Sequence, residues 1–319
     1  MGLTPRDIGK SLMSLLNFRK KTEAPRTGDR RVETFLRDFS IEVMPRTAEK
    51  VEDFRALLPE STRVYIAHID GTPIEDMVAT AKRLAADGFQ VMPHFPARII
   101  DNAQMLGDWI ARYQGEAGVT QGLILAGGVA EPRGVFESSI HLLETGLFDK
   151  AGFTRLHVAG HPEGNKDIDP DGTTLNVETA MKWKNDFAAR TDAEMAIVTQ
   201  FAFEADPVIA WADAVRDAGI GLPIHIGIAG PAKLQTLIKF AVACGVGPSL
   251  RVLQKRAMDV TKLLLPYEPD EIVTELAHHK ASHPDFAITN VHIFPLGGIK
   301  AAAEWTASKG AVPAARATA

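Results

Sequence analysis

The chain has 319 residues, of which 45% are hydrophobic and 24% charged, and its formal net charge is −5 at pH 7. Such a chain can bury one large core or two smaller ones, and the lack of a basic excess argues against a nucleic-acid partner. The single cysteine, Cys244, excludes an internal disulfide and is typical of a reducing compartment. No apolar run reaches about 18 residues and no secretory signal is recognisable, so we expect a cytoplasmic protein with no membrane partner.

Residues 1–37 are predicted to form a helical extension. Apolar residues recur at helical spacing over residues 5–20, namely Ile8, Leu12, Leu15 and Leu16. The apolar face is short and acidic residues interrupt the basic stretch after it, which favours a cap on the core over a membrane-surface helix. At the other end, residues 309–319 are predicted to be a disordered tail.

From residue 38 onward, strand-like and helix-like segments alternate. Eight strands are predicted over residues 38–45, 63–69, 90–96, 121–127, 155–161, 195–203, 223–229 and 290–296. Helices are predicted over residues 48–58, 73–87, 100–114, 134–148, 175–190, 206–218 and 231–243, with extra helical stretches at 249–264 and 269–282 and a last helix from near Ile299. This order predicts a (β/α)8 (TIM) barrel over residues 38–308, and the lack of Gly-x-Gly-x-x-Gly after the first strand disfavours a Rossmann domain.

The first predicted strand carries the candidate catalytic residue, Glu42. In this strand Phe39, Ile41 and Val43 alternate with Ser40, Glu42 and Met44. Pro45 is expected to end the strand, and Thr47 to be the N-cap of a helix that begins near Ala48. Apolar surroundings should raise the pKa of Glu42, as a general acid at neutral pH requires. The alternative is a glutamate that pairs with a buried arginine or caps a turn.

In a (β/α)8 barrel the active site forms at the carboxyl ends of the strands. Polar residues and small residues cluster there in this sequence, including His68, His94, Ala126, Gly127, Gly128, His161, Asn165, Gln200 and His292. The histidines lack the local spacing of a metal site, so no metal is predicted. The pairs Gly127–Gly128 and Gly297–Gly298 are compatible with phosphate binding or with tight turns. No Gly-x-Ser-x-Gly is present, which argues against acyl transfer.

The sixth strand favours a flat ligand with polar edges. Gln200 can accept from and donate to the edge of a heterocycle, and the rings of Phe201, Phe203 and Phe240 can stack on its faces. We therefore expect Gln200, Phe203, Phe240 and His292 to bind the substrate.

Five segments together resemble the methylenetetrahydrofolate reductase family. They are Phe-Ser-Ile-Glu-Val-Met-Pro-Arg (39–46), Pro-His-Phe (93–95), His-Pro-Glu-Gly-Asn (161–165), Ile-Val-Thr-Gln-Phe-Ala-Phe-Glu (197–204) and Ile-His-Ile-Gly-Ile-Ala-Gly-Pro (224–231). Their order and strand placement match the family across roughly residues 38–300. The resemblance implies an oxidoreductase of one-carbon metabolism that moves hydride between NAD(P)H, FAD and the methylene carbon of 5,10-methylenetetrahydrofolate.

By position, Glu42 matches the family's general acid, which protonates the folate nitrogen as the imidazolidine ring opens to an iminium. Gln200 matches the glutamine that holds the pterin, and Phe240 an aromatic residue beside folate or nicotinamide. His94 matches a histidine near the flavin, and Lys184 a lysine that contacts the flavin phosphate.

The sequence departs from the family mainly around the flavin. Ala126, Gly127 and Gly128 stand where the family has Arg-Gly-Asp, and His161 to Asn165 replace its Tyr-Pro-Glu-x-His. His68 stands near the place of a threonine on the second strand. The replaced groups predict that FAD binds weakly or not at all, so that the purified protein carries less than one FAD per chain.

Three hypotheses remain open from the sequence. The first is a reductase-like enzyme that interconverts methylene- and methyltetrahydrofolate in either direction. The second is a folate-binding barrel without redox activity, and the third is a barrel transferase that uses a pterin. The sequence does not choose NADH over NADPH, and it leaves open whether the chain forms a homo-oligomer.

Overall fold

The computed structural model describes residues 28–244, 251–254 and 266–311. The predicted helix over residues 5–20 and most of the predicted stretch 249–264 lie outside these ranges, as does the tail after residue 311. No helix in the described ranges is long and apolar enough to cross a membrane.

Eight parallel strands close into a barrel, which confirms the predicted fold. They are β1 Ser40–Val43, β2 Arg63–Ile66, β3 Gln90–Pro96, β4 Gln121–Leu125, β5 Arg155–Gly160, β6 Glu194–Ala202, β7 Ile224–Ala229 and β8 Ile288–Phe294. Each strand pairs with the next, and β8 returns to β1 with Ser40 opposite His292. All eight overlap the strands predicted from hydrophobic alternation.

The helices surround this barrel. The described ones are Arg30–Leu36, Pro45–Ala48, Ile74–Ala86, Ala103–Ala117, Ser139–Glu144, Leu147–Lys150, Leu175–Ala188, Ala205–Asp217, Leu234–Ala243, Asp270–Ser282 and Ile299–Ser308. Asp29 caps the first of them by accepting from the backbone N–H of Arg31 at 3.0 Å. That helix packs on Asp270–Ser282 and on β8.

Two predicted helices and one predicted cap are wrong. Residues 48–58 do not form one helix, because the chain makes a short helix from Pro45, where proline suits the first position, and then a 3-10 turn at Phe54–Ala56. Thr47 lies inside that short helix, and its hydroxyl accepts from the backbone N–H of Met44 at 3.0 Å. The predicted helix over residues 134–148 is split at Gly146, whose φ of 66° belongs to the left-handed region.

The main apolar core lies between the barrel and its helices. Outward-facing strand residues such as Ile41, Val64 and Ile66 are fully buried there. Each such aliphatic side chain contributes about 1.5–3 kcal/mol relative to an exposed one. This layer holds the strands in register and so fixes the positions of the inward-facing residues.

The interior of the barrel is more polar than usual for this fold. Aliphatic side chains commonly fill it, but here it holds Tyr65, His157, His225 and His292, each at most 6% exposed. The rings touch one another: the centroids of Tyr65 and His292 lie 4.4 Å apart, and those of His157 and His225 lie 4.8 Å apart. The polar site above therefore rests on a polar floor.

Candidate active site

Glu42 lies near the carboxyl end of β1 and faces two imidazoles. Its Oε2 atom is 3.2 Å from Nε2 of His94 on β3 and 3.8 Å from Nε2 of His292 on β8. Among the described residues, neither nitrogen has a partner that satisfies hydrogen-bond geometry. The Glu42 side chain keeps 19% of its surface exposed. One carboxylate oxygen and two unsatisfied imidazole nitrogens thus converge on a point that a small group can reach.

Local alternation explains why these three side chains meet. On β3, Phe95 packs outward against Phe148 in the core, and its neighbour His94 consequently points inward. On β8, His292 is held from the β1 side by Ser40, whose Oγ lies 2.9 Å from its Nδ1. The sequence placed His292 among the substrate-binding residues, whereas the structure shows it fully buried beneath Glu42.

The charge state of Glu42 differs from the sequence expectation. Burial acts to raise its pKa, but His94 and His292 together outweigh burial and lower the pKa to about 2. The prediction of a raised pKa is therefore wrong, because the apolar pattern of β1 carries no information about bases on β3 and β8. Burial lowers the pKa of His292, against the pull of Glu42. At neutral pH, Glu42 is a carboxylate.

Gln200 owes its orientation to a bulge in β6. The pairing of β6 with β7 shifts between Val198 and Phe201. The Thr199 hydroxyl replaces the backbone hydrogen bonds that are lost there. It donates to the carbonyl of Gln200 at 2.7 Å and accepts from the N–H of Gly227 at 2.8 Å. A Cβ atom on Gly227 would lie 2.5 Å from the Gln200 carbonyl oxygen, so only glycine fits. Bulges commonly re-aim side chains beside active sites.

The amide of Gln200 is unsatisfied. Its Oε1 atom is buried and lacks a hydrogen-bond partner within the part of the chain that the structure describes. A buried acceptor without a partner costs about 1–3 kcal/mol, which a ligand N–H could recover. Gln200 is thus an acceptor available to a polar ligand.

The predicted aromatic residues have different environments. Phe203 is 8% exposed, and its ring packs edge-on against Phe201 and Tyr267 at centroid distances of 5.8 and 5.2 Å. Phe240 lies on the rim of the same apolar cluster and remains partly exposed. Phe240 is therefore available to a ligand, while Phe203 supports the wall behind it.

The residues predicted to hold a flavin are mostly engaged with the protein itself. The Lys184 ammonium is buried and donates to the carbonyl of Ala159 at 2.9 Å. Burial lowers the pKa of Lys184 to about 8 and that of His161 to about 4. Nδ1 of His161 lies 3.5 Å from Nδ2 of Asn165. His68 stacks on Trp109 at 4.8 Å.

Arg98 organises the segment after β4, a role that the sequence did not reveal. Its backbone N–H donates to the carbonyl of Ala126, and its guanidinium donates to the carbonyls of Val129 and Glu137 at 3.0 Å each. The turn that contains Ala126, Gly127 and Gly128 is thereby held by Arg98, which donates hydrogen bonds to backbone carbonyls of this segment. An arginine just after a strand carries no pattern that announces such a role.

Within residues 28–244, 251–254 and 266–311, no three His, Cys, Asp or Glu side chains are grouped to hold a metal ion.

Cys244 ends the helix Leu234–Ala243, and burial together with Glu42 raises the pKa of its thiol to about 11. Its thiol is therefore protonated at neutral pH.

Known proteins resemble this chain over part of its sequence or in its fold. No family model matches the sequence. Over 92 residues, 28% of this chain, the sequence is 37% identical to a protein of Schizosaccharomyces pombe named methylenetetrahydrofolate reductase 1, and the match covers 14% of that protein. A solved structure from Clostridium thermocellum, described as an uncharacterized protein that binds two copies of 5-methyl-5,6,7,8-tetrahydrofolic acid, matches with a TM-score of 0.54. The match covers 88% of this chain and 97% of the neighbour's chain at 10% sequence identity, so the likeness shows the fold alone.

Proposed function

We propose that this protein is a folate-dependent oxidoreductase that interconverts 5,10-methylenetetrahydrofolate and 5-methyltetrahydrofolate. The observation that carries the proposal is the Glu42 carboxylate, which faces the imidazoles of His94 and His292 at the carboxyl end of the barrel. The partial match to a methylenetetrahydrofolate reductase supports this reading.

The chemistry needs a proton donor and a negative charge in one place. The ring of methylenetetrahydrofolate opens when a folate nitrogen is protonated, and an iminium cation results. In our proposal the proton passes to the folate at the place where Nε2 of His94 faces the Glu42 carboxylate. After the proton has passed to the folate, the Glu42 carboxylate stabilises the cation across a short distance.

Gln200 supplies recognition in this proposal. A pterin presents an amide-like edge of alternating donors and acceptors, and the unpaired Oε1 of Gln200 can accept from one of its N–H groups. Phe240 offers a partly exposed ring that can pack against a flat ligand.

The residues do not fit a tightly held FAD. A flavin diphosphate needs cationic or N–H donors, yet the Lys184 ammonium already donates to Ala159, and His161 is neutral at pH 7 because burial lowers its pKa. We therefore route no step through a flavin and take the hydride donor to be a reduced nicotinamide, bound as a substrate.

The test is a pair of measurements on the purified protein. We expect oxidation of NADH or NADPH that depends on added methylenetetrahydrofolate, together with a visible spectrum that lacks a stoichiometric flavin band. Turnover that requires added FAD would overturn the flavin-independent form of the proposal. No turnover with either nicotinamide, and none in the reverse direction from methyltetrahydrofolate, would overturn the redox function itself.

A folate-binding barrel without redox activity is the second candidate. The structural neighbour that carries two methyltetrahydrofolate molecules favours it, since that description names a ligand and no reaction. Calorimetric titration with methyltetrahydrofolate separates the two candidates, because the second one predicts binding in a protein that turns over neither nicotinamide.

A further inference from the structure

A row of polar side chains descends from Glu42 into the barrel. Below Glu42 stands His292, whose Nδ1 is 2.9 Å from the hydroxyl of Ser40. The ring of Tyr65 lies against that of His292, with centroids 4.4 Å apart, and Ser40 is one of the groups that act on its hydroxyl. The Tyr65 hydroxyl lies 2.5 Å from Nδ1 of His157.

These four side chains are buried where apolar ones would serve the fold better. Ser40, Tyr65, His157 and His292 are each at most 1% exposed. Polar groups in such a place cost free energy unless they are hydrogen-bonded, and aliphatic side chains are the common filling of this fold. Contacts within hydrogen-bond distance join the four residues in two pairs, Ser40 with His292 and Tyr65 with His157, and Nε2 of His292 faces Glu42 at 3.8 Å.

The charge of Glu42 decides which way the row is polarised. A neutral imidazole carries one N–H, and each hydroxyl carries one proton. If Ser40 donates to Nδ1 of His292, the single N–H of that ring is on Nε2 and points at the Glu42 carboxylate. The opposite polarity would put a lone pair of Nε2 against a carboxylate oxygen, which is repulsive. The first arrangement extends downward if Tyr65 donates to Ser40 and Nδ1–H of His157 donates to Tyr65.

We propose that Ser40 and Tyr65 are positioning residues that act through His292, fixing its proton on Nε2 so that Glu42 stays ionised. The carboxylate is thus held in the state that stabilises a cation formed above it. The purpose assigned to this arrangement rests on the proposed folate chemistry, but the arrangement itself can be measured without any turnover.

Other titratable or charged groups act on the same row and must be held constant. His94 faces Glu42 from β3, and Cys244 faces it from the helix Leu234–Ala243. At the lower end, His225, Arg63 and Arg155 act on His157, and burial and these charges keep its pKa well below the usual value. His157 is therefore neutral at pH 7, as the proposed polarity requires.

The first experiment determines the tautomer of His292 by ¹⁵N NMR of the side chain at pH 7. We expect the Nε2–H form in the wild type and a mixture with the Nδ1–H form in Ser40→Ala, because the donor to Nδ1 is gone. Tyr65→Phe keeps the ring and removes only the hydroxyl, and it should shift the same equilibrium less. A wild-type His292 with its proton on Nδ1 overturns the proposal.

The second experiment follows the carboxyl carbon of Glu42 by ¹³C NMR during acid titration. Ser40→Ala and Tyr65→Phe should each raise the pKa of Glu42 by about half to one pH unit, which is what one neutral hydrogen bond is worth. Ser139→Ala and Tyr113→Phe are matched controls, since both residues are buried and lie on helices outside the barrel interior. An unchanged Glu42 pKa in both test variants, or equal shifts in the controls, contradicts the proposal.

Turnover then separates this proposal from the proposed function. If the protein is inactive with folates but the two NMR results hold, the function is wrong and the positioning role stands. If it is active and Ser40→Ala leaves both the tautomer and the Glu42 pKa unchanged, the positioning role is wrong and the function stands.

Discussion

The two halves of the barrel mouth differ in how they treat their polar groups. On the side of β1, β3 and β8, Glu42, His94 and His292 converge while nitrogen atoms of both histidines lack partners among the described residues. On the side of β4 and β5, Lys184 donates to a backbone carbonyl and His161 lies beside Asn165. Buried polar atoms without partners can form hydrogen bonds with a ligand, whereas atoms that already have partners within the protein contribute little to binding one. For the proposed function, this means that the site is open toward the folate and closed where a flavin would have to be held.

The largest effect is expected from the open side. Glu42→Gln should reduce turnover by about two to four powers of ten, because it removes the carboxylate and its share in proton transfer. Folate binding should change little, which calorimetry can verify alongside the rate. A variant with the wild-type rate would remove Glu42 from the mechanism.

Gln200→Ala should weaken binding more than it slows chemistry. Loss of the amide leaves pterin groups unpaired, at a cost of about 1–3 kcal/mol, or about 5- to 150-fold in Kd. The measurement is a folate titration with kcat determined in parallel. If affinity were unchanged while kcat fell, Gln200 would act in the reaction and not in recognition.

The polar floor below the open side should make stability depend on pH. Burial lowers the pKa of His225 to about 3 and that of His157 well below its usual value, whereas both titrate near 6.5 when unfolded. The unfolded chain thus binds protons that the folded chain rejects. Stability is full above pH 6.5 and should fall below it by about 1.4 kcal/mol per pH unit for each histidine. Urea unfolding at pH 7.5, 6 and 5 tests this, and a flat profile would contradict it.

The smallest effect is expected on the closed side. Lys184→Met should leave nicotinamide-dependent turnover within about a factor of two, since an amine that already bonds to Ala159 contributes little to a ligand. Titration of FAD into wild type and variant should give the same weak or absent flavin band. If the wild type binds one FAD tightly and the Lys184→Met variant does not, this side of the barrel is a flavin-binding site and the prediction is wrong.

The fold was predictable because it depends on local pattern. Alternation located all eight strands, and their rhythm with helices indicated a closed barrel. The errors fell where one residue changes the local rule. Pro45 begins a helix instead of only ending a strand, and Gly146 divides what periodicity joins.

The sequence named residues of the candidate site but not their charges. Glu42, His94 and Gln200 could be named because the carboxyl ends of the strands converge in this fold. The lowered pKa of Glu42 could not, because it depends on distances to residues that lie 52 and 250 positions away in the chain. The alternation in β1 put Ser40 on the face of Glu42 but carried no information about its contact with His292, and Tyr65 lay in a strand whose pattern gave no sign of a role.

The bulge at Thr199–Gln200 has a consequence for recognising relatives. The glutamine is aimed only because Gly227, on the neighbouring strand, leaves room for the displaced carbonyl. A sequence that carries the glutamine but any other residue at the glycine position could not form the same bulge, and its amide would point elsewhere. The glutamine and the glycine are therefore required together. A sequence search that demands both will separate chains that share this site from barrels that only have a glutamine on the sixth strand.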